Sequence, residues 1–255
     1  MATRWRTAWI TGASSGIGRA LAIALVQRGV KVAASARSAD KLAEIARHHP
    51  GIAPLPLDVT LADAVAEAPR SISSTLGPVD LAVFSAGIWE AMSVRSFSAA
   101  KAARTMAVNY QGIVNCIEAV LPTMLERGEG HIALVASVAG YRGLSPAAAY
   151  GPSKAAVINL AEALKPSLAL RGIKVSVINP GYVDTPMTHG STLPMPFMLS
   201  AEDAARRILD GLEKGRFEIA FPWQLALLMK LARLMPARLF FWCARNLTRG
   251  RASPN

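Results

Sequence analysis

Ala8-Trp9-Ile10-Thr11-Gly12-Ala13-Ser14-Ser15-Gly16-Ile17-Gly18, followed by the helically patterned run from Arg19 to Arg28, is the stretch on which the fold turns. Ala8, Trp9 and Ile10 read as a short buried strand that enters the glycine segment directly. Glycines at 12, 16 and 18 permit a tight turn, a close approach of backbone to ligand and close packing of helix on strand. The helix that follows offers its first amides to a pyrophosphate. A glycine pattern alone is common. Lying between a strand and a helix, this one reads as a dinucleotide site, with Thr11, Gly12, Ser14, Ser15, Gly16, Ile17 and Gly18 as its residues.

Outward from that turn, strands and helices alternate. Residues 31–35 read as the second strand, and the chain offers Ala36 and Arg37 at its end, with no carboxylate. An acidic residue there would bind the ribose hydroxyls of NAD, whereas a cation accommodates the 2′-phosphate of NADP, so Arg37 points to NADP. Residues 52–57 form a third strand followed by Asp58-Val59. Asp58 has two readings at this level: a contact to an adenine amino group, or a cap for the helix starting near Leu61. Residues 80–84 form a fourth strand ending in Ser85-Ala86-Gly87, small enough to leave room for a cofactor ring. A long helical stretch, 98–127, carries Asn109 in its interior, where asparagine has poor propensity and needs a reason. Ser137 ends a fifth strand at 131–136, and 174–179 is a sixth. This alternation predicts an α/β fold, a Rossmann-like doubly wound parallel sheet in three layers, with its ligand site at the carboxyl ends of the strands.

Tyr150-Gly151-Pro152-Ser153-Lys154 opens an apolar helical segment running to about Arg171. A phenol and an ammonium four residues apart share one helix face and act on one small site. A tyrosine titrating near 10 is a poor acid or base at neutral pH, and a nearby cation is expected to bring it down. Ser137 lies thirteen residues before Tyr150, with Gly140 and Gly143 between, a short enough return for the two to meet.

Of 255 residues, 52% are hydrophobic and 18% charged, which suggests either a large core or extra apolar surface on what reads as one domain. The two cysteines, Cys116 and Cys243, imply no disulfide framework and point to a reducing compartment. The lead to Trp9 does not read as a signal peptide, so the catalytic part is expected in the cytoplasm. Of the net charge of +11, six units lie in residues 222–255, where Lys230, Arg233, Arg238, Arg245, Arg249 and Arg251 meet no acidic residue. No nucleic-acid motif accompanies them, so nucleic acid is not expected as a partner. Two apolar segments, 223–235 and 237–249, are split by Pro236, and neither is long enough for a conventional transmembrane span. Two readings stand for 222–255: a basic amphipathic extension lying on a membrane surface, or one packing on a partner subunit or over the substrate mouth.

Together these residues resemble the short-chain dehydrogenase/reductase family over about 6–185. The resemblance implies a cofactor motif at Thr11 to Gly18, an adenine contact at Asp58 and a catalytic set of Asn109, Ser137, Tyr150 and Lys154. Pro180-Gly181-Tyr182-Val183-Asp184-Thr185 resembles the family's segment on the nicotinamide side, giving Pro180, Gly181, Val183 and Thr185 as contacts. Ser85-Ala86-Gly87 stands where the family usually has Asn-Ala-Gly, a departure at the sheet-stabilising asparagine. The implied mechanism has Tyr150 exchange a proton with the substrate oxygen and Ser137 orient it. Lys154 holds the nicotinamide ribose, and Asn109 anchors a water leading to solvent. Residues 186–200 fall where the family carries a substrate lid. Here Met187, Leu193, Met195, Phe197, Met198 and Leu199 suggest an adaptable apolar lining and a lipophilic carbonyl or alcohol substrate.

The sequence thus divides into a catalytic domain at 1–221 and an extension at 222–255. The expected function is NADP-dependent hydride transfer by a homo-oligomer, dimer or tetramer. The alternative is a non-catalytic NADP-sensing or membrane-associated scaffold of the same fold, whose signature would be a broken catalytic set.

Overall fold

The computed structural model describes residues 4–189 and 194–249. Seven strands form one parallel sheet in the order β3-β2-β1-β4-β5-β6-β7. They are β1 Thr7–Thr11, β2 Lys31–Ala36, β3 Ile52–Pro56, β4 Leu81–Phe84, β5 Gly130–Val135, β6 Ile173–Pro180 and β7 Glu218–Phe221. Between them run α1 Gly16–Val26, α2 Ala39–His48, α3 Ala62–Thr75, α4 Ala99–Met106, α5 Gly112–Arg127, α6 Tyr150–Ala169 and α7 Ala201–Glu213. Pro54 and Pro56 are tolerated because β3 is an edge strand, where a missing amide breaks no central ladder.

The strand period of two sorts the core into two layers. Trp9, Ala33, Phe84, Ile132 and Val175 face the side covered by α3, α5 and α6. Their neighbours Ala8, Ile10, Val32, Val83 and Ala133 face α1, α2 and α7. The three-layer, doubly wound architecture read from the sequence is what forms, with strand limits shifted by a residue or so. Strand order reverses between β1 and β4, and there the two carboxyl ends diverge to open a crevice.

The extension is two helices, α8 Trp223–Leu234 and α9 Ala237–Arg249. Leu225, Ala226 and Met229 of α8 are buried in the core on the α6 side. The phenol of Tyr141 donates to Glu218 (2.5 Å), and Lys230 of α8 pairs with that same carboxylate, fastening the helix beside β7. Phe240 of α9 is buried beneath the guanidinium of Arg142, 4.4 Å from the ring centroid. Among the described residues no helix is long and apolar enough to cross a membrane.

His131 in β5 gives the fold an acid sensitivity. Its ring is 2% exposed, with Nε2 2.8 Å from the Ser176 hydroxyl. That hydroxyl donates to the Arg216 carbonyl (2.6 Å), so Nε2 carries the proton and donates. Nδ1 is buried without a partner. Burial lowers the pKa from 6.5 to about 3. Between those values the unfolded chain holds a proton the folded chain refuses, so stability falls as pH drops through that window, by about 1.4 kcal/mol per pH unit. Urea unfolding from pH 6 to pH 4 should show this slope, and His131→Asn should flatten it; an unchanged slope in the variant assigns the acid sensitivity elsewhere.

Candidate active site

The turn from β1 into α1 is shaped by what it excludes. Gly12 adopts φ +70°, and a Cβ there would stand 2.8 Å from the Ala86 amide nitrogen. A Cβ on Gly18 would stand 2.4 Å from the Gly12 carbonyl oxygen, so helix and turn touch backbone to backbone. Gly18→Ala is therefore expected to lower stability by about 1–3 kcal/mol and to displace the turn, read as a lower Tm and weakened dinucleotide binding. Ser15 caps α1 without a side-chain hydrogen bond, and the first turn holds no acidic residue. Its amides are thus left for an anion. A neutral turn with open amides and no space for side chains fits a pyrophosphate.

From this turn a cleft of about 470 Å³ runs along the carboxyl ends of the strands. Ser14, Ser15, Gly16, Ile17 and Gly18 line one end with Arg37, Asp58 and Val59. Arg37 is exposed on the cleft wall. Asp58 is not a helix cap, because α3 is preceded by Leu61 at that position. Its Oδ1 instead accepts from the Thr60 amide (2.9 Å) and hydroxyl (2.8 Å). The Thr60 amide, helped by the Thr60 hydroxyl and the Arg37 cation, holds the carboxyl below its usual range against the opposing effect of burial. Thr11 does not reach the cleft. Its hydroxyl oxygen accepts from the Ser85 (3.1 Å) and Ala86 (3.3 Å) amides, anchoring the Ser85-Ala86-Gly87 loop on the cleft wall without an asparagine at 85.

The other end holds Ser137, Tyr150 and Lys154; Pro180, Gly181, Val183 and Thr185 also line the cleft, Thr185 on the Gly16 side, where a Cβ on Gly16 would stand 2.9 Å from its Cγ2. Ser137 follows β5, accepts from the Ala139 amide (3.1 Å) and donates to the Pro180 carbonyl (3.2 Å), which ties the end of β5 to the end of β6. Tyr150 and Lys154 start α6, one turn apart. Lys154 is 3% exposed. It donates to the Val135 carbonyl (2.8 Å), and its ammonium lies 5.6 Å from the Tyr150 ring centroid. Burial lowers the lysine to about 8. The phenol, expected to be brought down by this cation, is pushed up to about 12: burial disfavours the phenolate, and hydrogen bonding from Ser137 offsets only part of it.

Asn109 sits behind the cleft, fully buried. The helix widens to a π turn at Ala107–Gln111, which answers why an asparagine stands in a helix interior. Its Oδ1 accepts from the Ile88 amide (2.7 Å), while its amide group donates to the Ile88 carbonyl and the Ser153 hydroxyl (3.0 Å each). It thereby joins the loop after β4 to α6, directly behind Lys154. A Cβ on Gly87 would fall 3.3 Å from its Oδ1 and 3.5 Å from the lysine Nζ.

Trp89 and Leu144 of the cleft carried no signal in the sequence, whereas Leu225 and Met229 belong to the extension for which packing over the substrate mouth is one of the two sequence readings. Trp89 stacks edge-on against Tyr150, centroids 5.1 Å apart. Leu144 contributes from the loop before α6, and Leu225 and Met229 from α8. In the segment after β6, Met187 and Met195 line the cleft, but Phe197 and Met198 are about half exposed and do not line it. Leu199 pairs back with Val183, so it serves the fold rather than the cavity. Leu193 lies outside the described residues.

A family model described as short chain dehydrogenase matches residues 6–195. An uncharacterized oxidoreductase of Myxococcus xanthus is 38% identical over 95% of this chain and 98% of its own. Among solved structures, a variant of actinorhodin polyketide ketoreductase with NADPH is 25% identical over 89% of this chain and 99% of its own, with TM-score 0.80. A short chain dehydrogenase/reductase from Burkholderia phymatum in complex with NAD, 23% identical over 91% of this chain and 94% of its own, shares the fold with TM-score 0.83.

Proposed function

The chain belongs to the short-chain dehydrogenase/reductase family, and on that premise we propose that it is an NADP(H)-dependent oxidoreductase acting on a lipophilic ketone or secondary alcohol. The observation that carries the proposal is the meeting of the Tyr150 and Ser137 hydroxyls and the Lys154 ammonium on one cleft that begins at a side-chain-free, anion-ready turn. When bound, the nicotinamide supplies or accepts the hydride at the substrate carbon. Tyr150 delivers its proton to the oxygen as negative charge develops there, so no free alkoxide has to persist. Its phenol, held near 12, stays protonated at neutral pH and is ready to donate in the reducing direction. Ser137, by turning its one hydroxyl proton from the Pro180 carbonyl to the substrate oxygen, fixes that oxygen by hydrogen bonding, a stabilisation of about 2.7–4 kcal/mol when one such donor is lost. Lys154 engages one of its three N–H donors with Val135, leaving the others for the nicotinamide ribose. Asn109 retains one Oδ1 lone pair through which a water can resupply the proton.

Arg37 supports the choice of NADP, as a cation at the end of β2 where no carboxylate competes for the ribose. Arg37→Ala is expected to raise KM for NADPH about thirtyfold while changing kcat/KM for NADH less than threefold, since a charge-assisted hydrogen bond contributes about 1.5–3 kcal/mol. An equal change for both cofactors would remove the phosphate role. The lipophilic substrate is supported by the apolar wall of Trp89, Leu144, Met187, Met195, Leu225 and Met229. We also read the working form as a homo-oligomer, dimer or tetramer, as is general in the family. A panel of ketones of graded chain length, assayed with NADPH and NADH by loss of reduced-cofactor absorbance, tests the proposal. Turnover rising with chain length under NADPH is the expected result, and no turnover with any member would leave the scaffold alternative.

A further inference from the structure

The helices α8 and α9 have two unlike faces. Inward, Leu225, Ala226, Met229 and Phe240 are buried. Outward, Trp223, Leu227, Leu228, Leu231 and Leu234 of α8 are 49–81% exposed, and Leu239, Phe241 and Trp242 of α9 are 48–64% exposed. This is the densest grouping of large exposed apolar side chains on the described surface, where isolated ones would call for no explanation. Interleaved with them are Arg233, Arg238 and Arg245, all exposed and in no ion pair among the described residues. Among the described residues of these helices, only Lys230 has a carboxylate partner, Glu218.

Charge decides what can cover this face. A two-fold subunit contact sets a patch against itself, and residues 222–255 hold six cations with no acidic residue to answer them. Self-association would therefore bring like charges together in a desolvated interface. Large aliphatic and aromatic side chains among unpaired guanidinium groups, on helices too short to span, suit a surface that is apolar beneath and anionic above. We propose that α8 and α9 dock this enzyme on an anionic lipid bilayer, with Trp223, Leu228, Leu231 and Trp242 entering the headgroup boundary and Arg233, Arg238 and Arg245 facing lipid phosphates. Because Leu225 and Met229 on the opposite side of α8 form cleft wall, the bilayer then lies about one helix diameter, 10–12 Å, from the substrate cavity.

Vesicle binding is read without cofactor or substrate, so this inference stands or falls apart from the catalytic one. The full chain should co-sediment with phosphatidylcholine vesicles containing 30% phosphatidylglycerol, weakly with phosphatidylcholine alone, and less as salt is raised. Arg233→Gln/Arg238→Gln/Arg245→Gln should lower partitioning onto the anionic vesicles roughly a hundredfold, given the usual contribution of each cation near such a surface. Leu228→Glu/Trp242→Glu should lower it by at least tenfold. Both variants should keep the wild-type Tm and turnover of a water-soluble ketone, as none of the five residues touches the cleft. Absence of binding to the anionic vesicles, or binding unaltered in both variants, would overturn the proposal. So would sedimentation velocity showing that Leu228→Glu/Trp242→Glu splits an oligomer while vesicle binding persists, which would make the face a subunit contact.

Discussion

Tyr150→Phe should lower kcat about a thousandfold while leaving the dissociation constant for NADPH within about twofold. The substitution removes one hydroxyl and keeps the ring, so the edge contact with Trp89 and the position of the Lys154 ammonium over the ring persist. What disappears is the proton donor, whose contribution in such sites is typically 10²–10⁴-fold. Steady-state turnover of a reducible ketone, paired with a fluorescence titration of NADPH, separates the two quantities. Residual kcat within tenfold of wild type would take the acid role from Tyr150. A parallel loss of cofactor affinity would show a collapsed cleft instead.

Lys154→Met carries the second large effect, and its two readouts move in opposite directions. The ammonium is 3% exposed, with one hydrogen bond to Val135, and burial drops its pKa to about 8. The fold therefore disfavours the charged form: above about 8 the folded chain has released a proton that the unfolded chain keeps to about 10.5, and stability rises with pH across that window. Below it, the wild type bears the burden of a buried cation. Methionine fills similar volume without the charge, so Tm at pH 7 should be unchanged or higher, even with the Val135 carbonyl deprived of its donor. Yet kcat should fall about a hundredfold. In wild type, reduction should decline as pH rises through about 8, where the cation is lost, and this limb should vanish in the variant. A lower Tm with activity preserved would make Lys154 a structural residue only.

Much of the chemistry was legible because it is local. Gly12, Gly16 and Gly18 between a strand and a helix specify a turn with little freedom to be anything else, and Tyr150 and Lys154 share a helix face by their spacing alone. Asn109 was visible as an anomaly of propensity; the π turn and its bonds to Ile88 and Ser153 supplied the reason. Asp58 was ambiguous because one carboxylate at a strand end serves an adenine amino group or a helix cap equally well, and the position of Leu61 before α3 excluded the cap. The apolar segment after β6 was only half readable. Hydrophobicity cannot say whether Phe197 faces a cavity or water, and it faces water.

The sequence alone determined the parallel sheet, the anion-ready turn, and the order in which the chemically active groups arrive at one edge, since periodicity and backbone sterics act over a few residues. The tertiary structure decided what no local rule reaches: that Trp89 stacks on Tyr150, that α8 closes the cleft with Leu225 and Met229, and that burial raises the phenol against its cationic neighbour. These depend on which surfaces exclude water from which groups. Desolvation is set by the whole packed molecule, whereas spacing along a chain fixes only near neighbours.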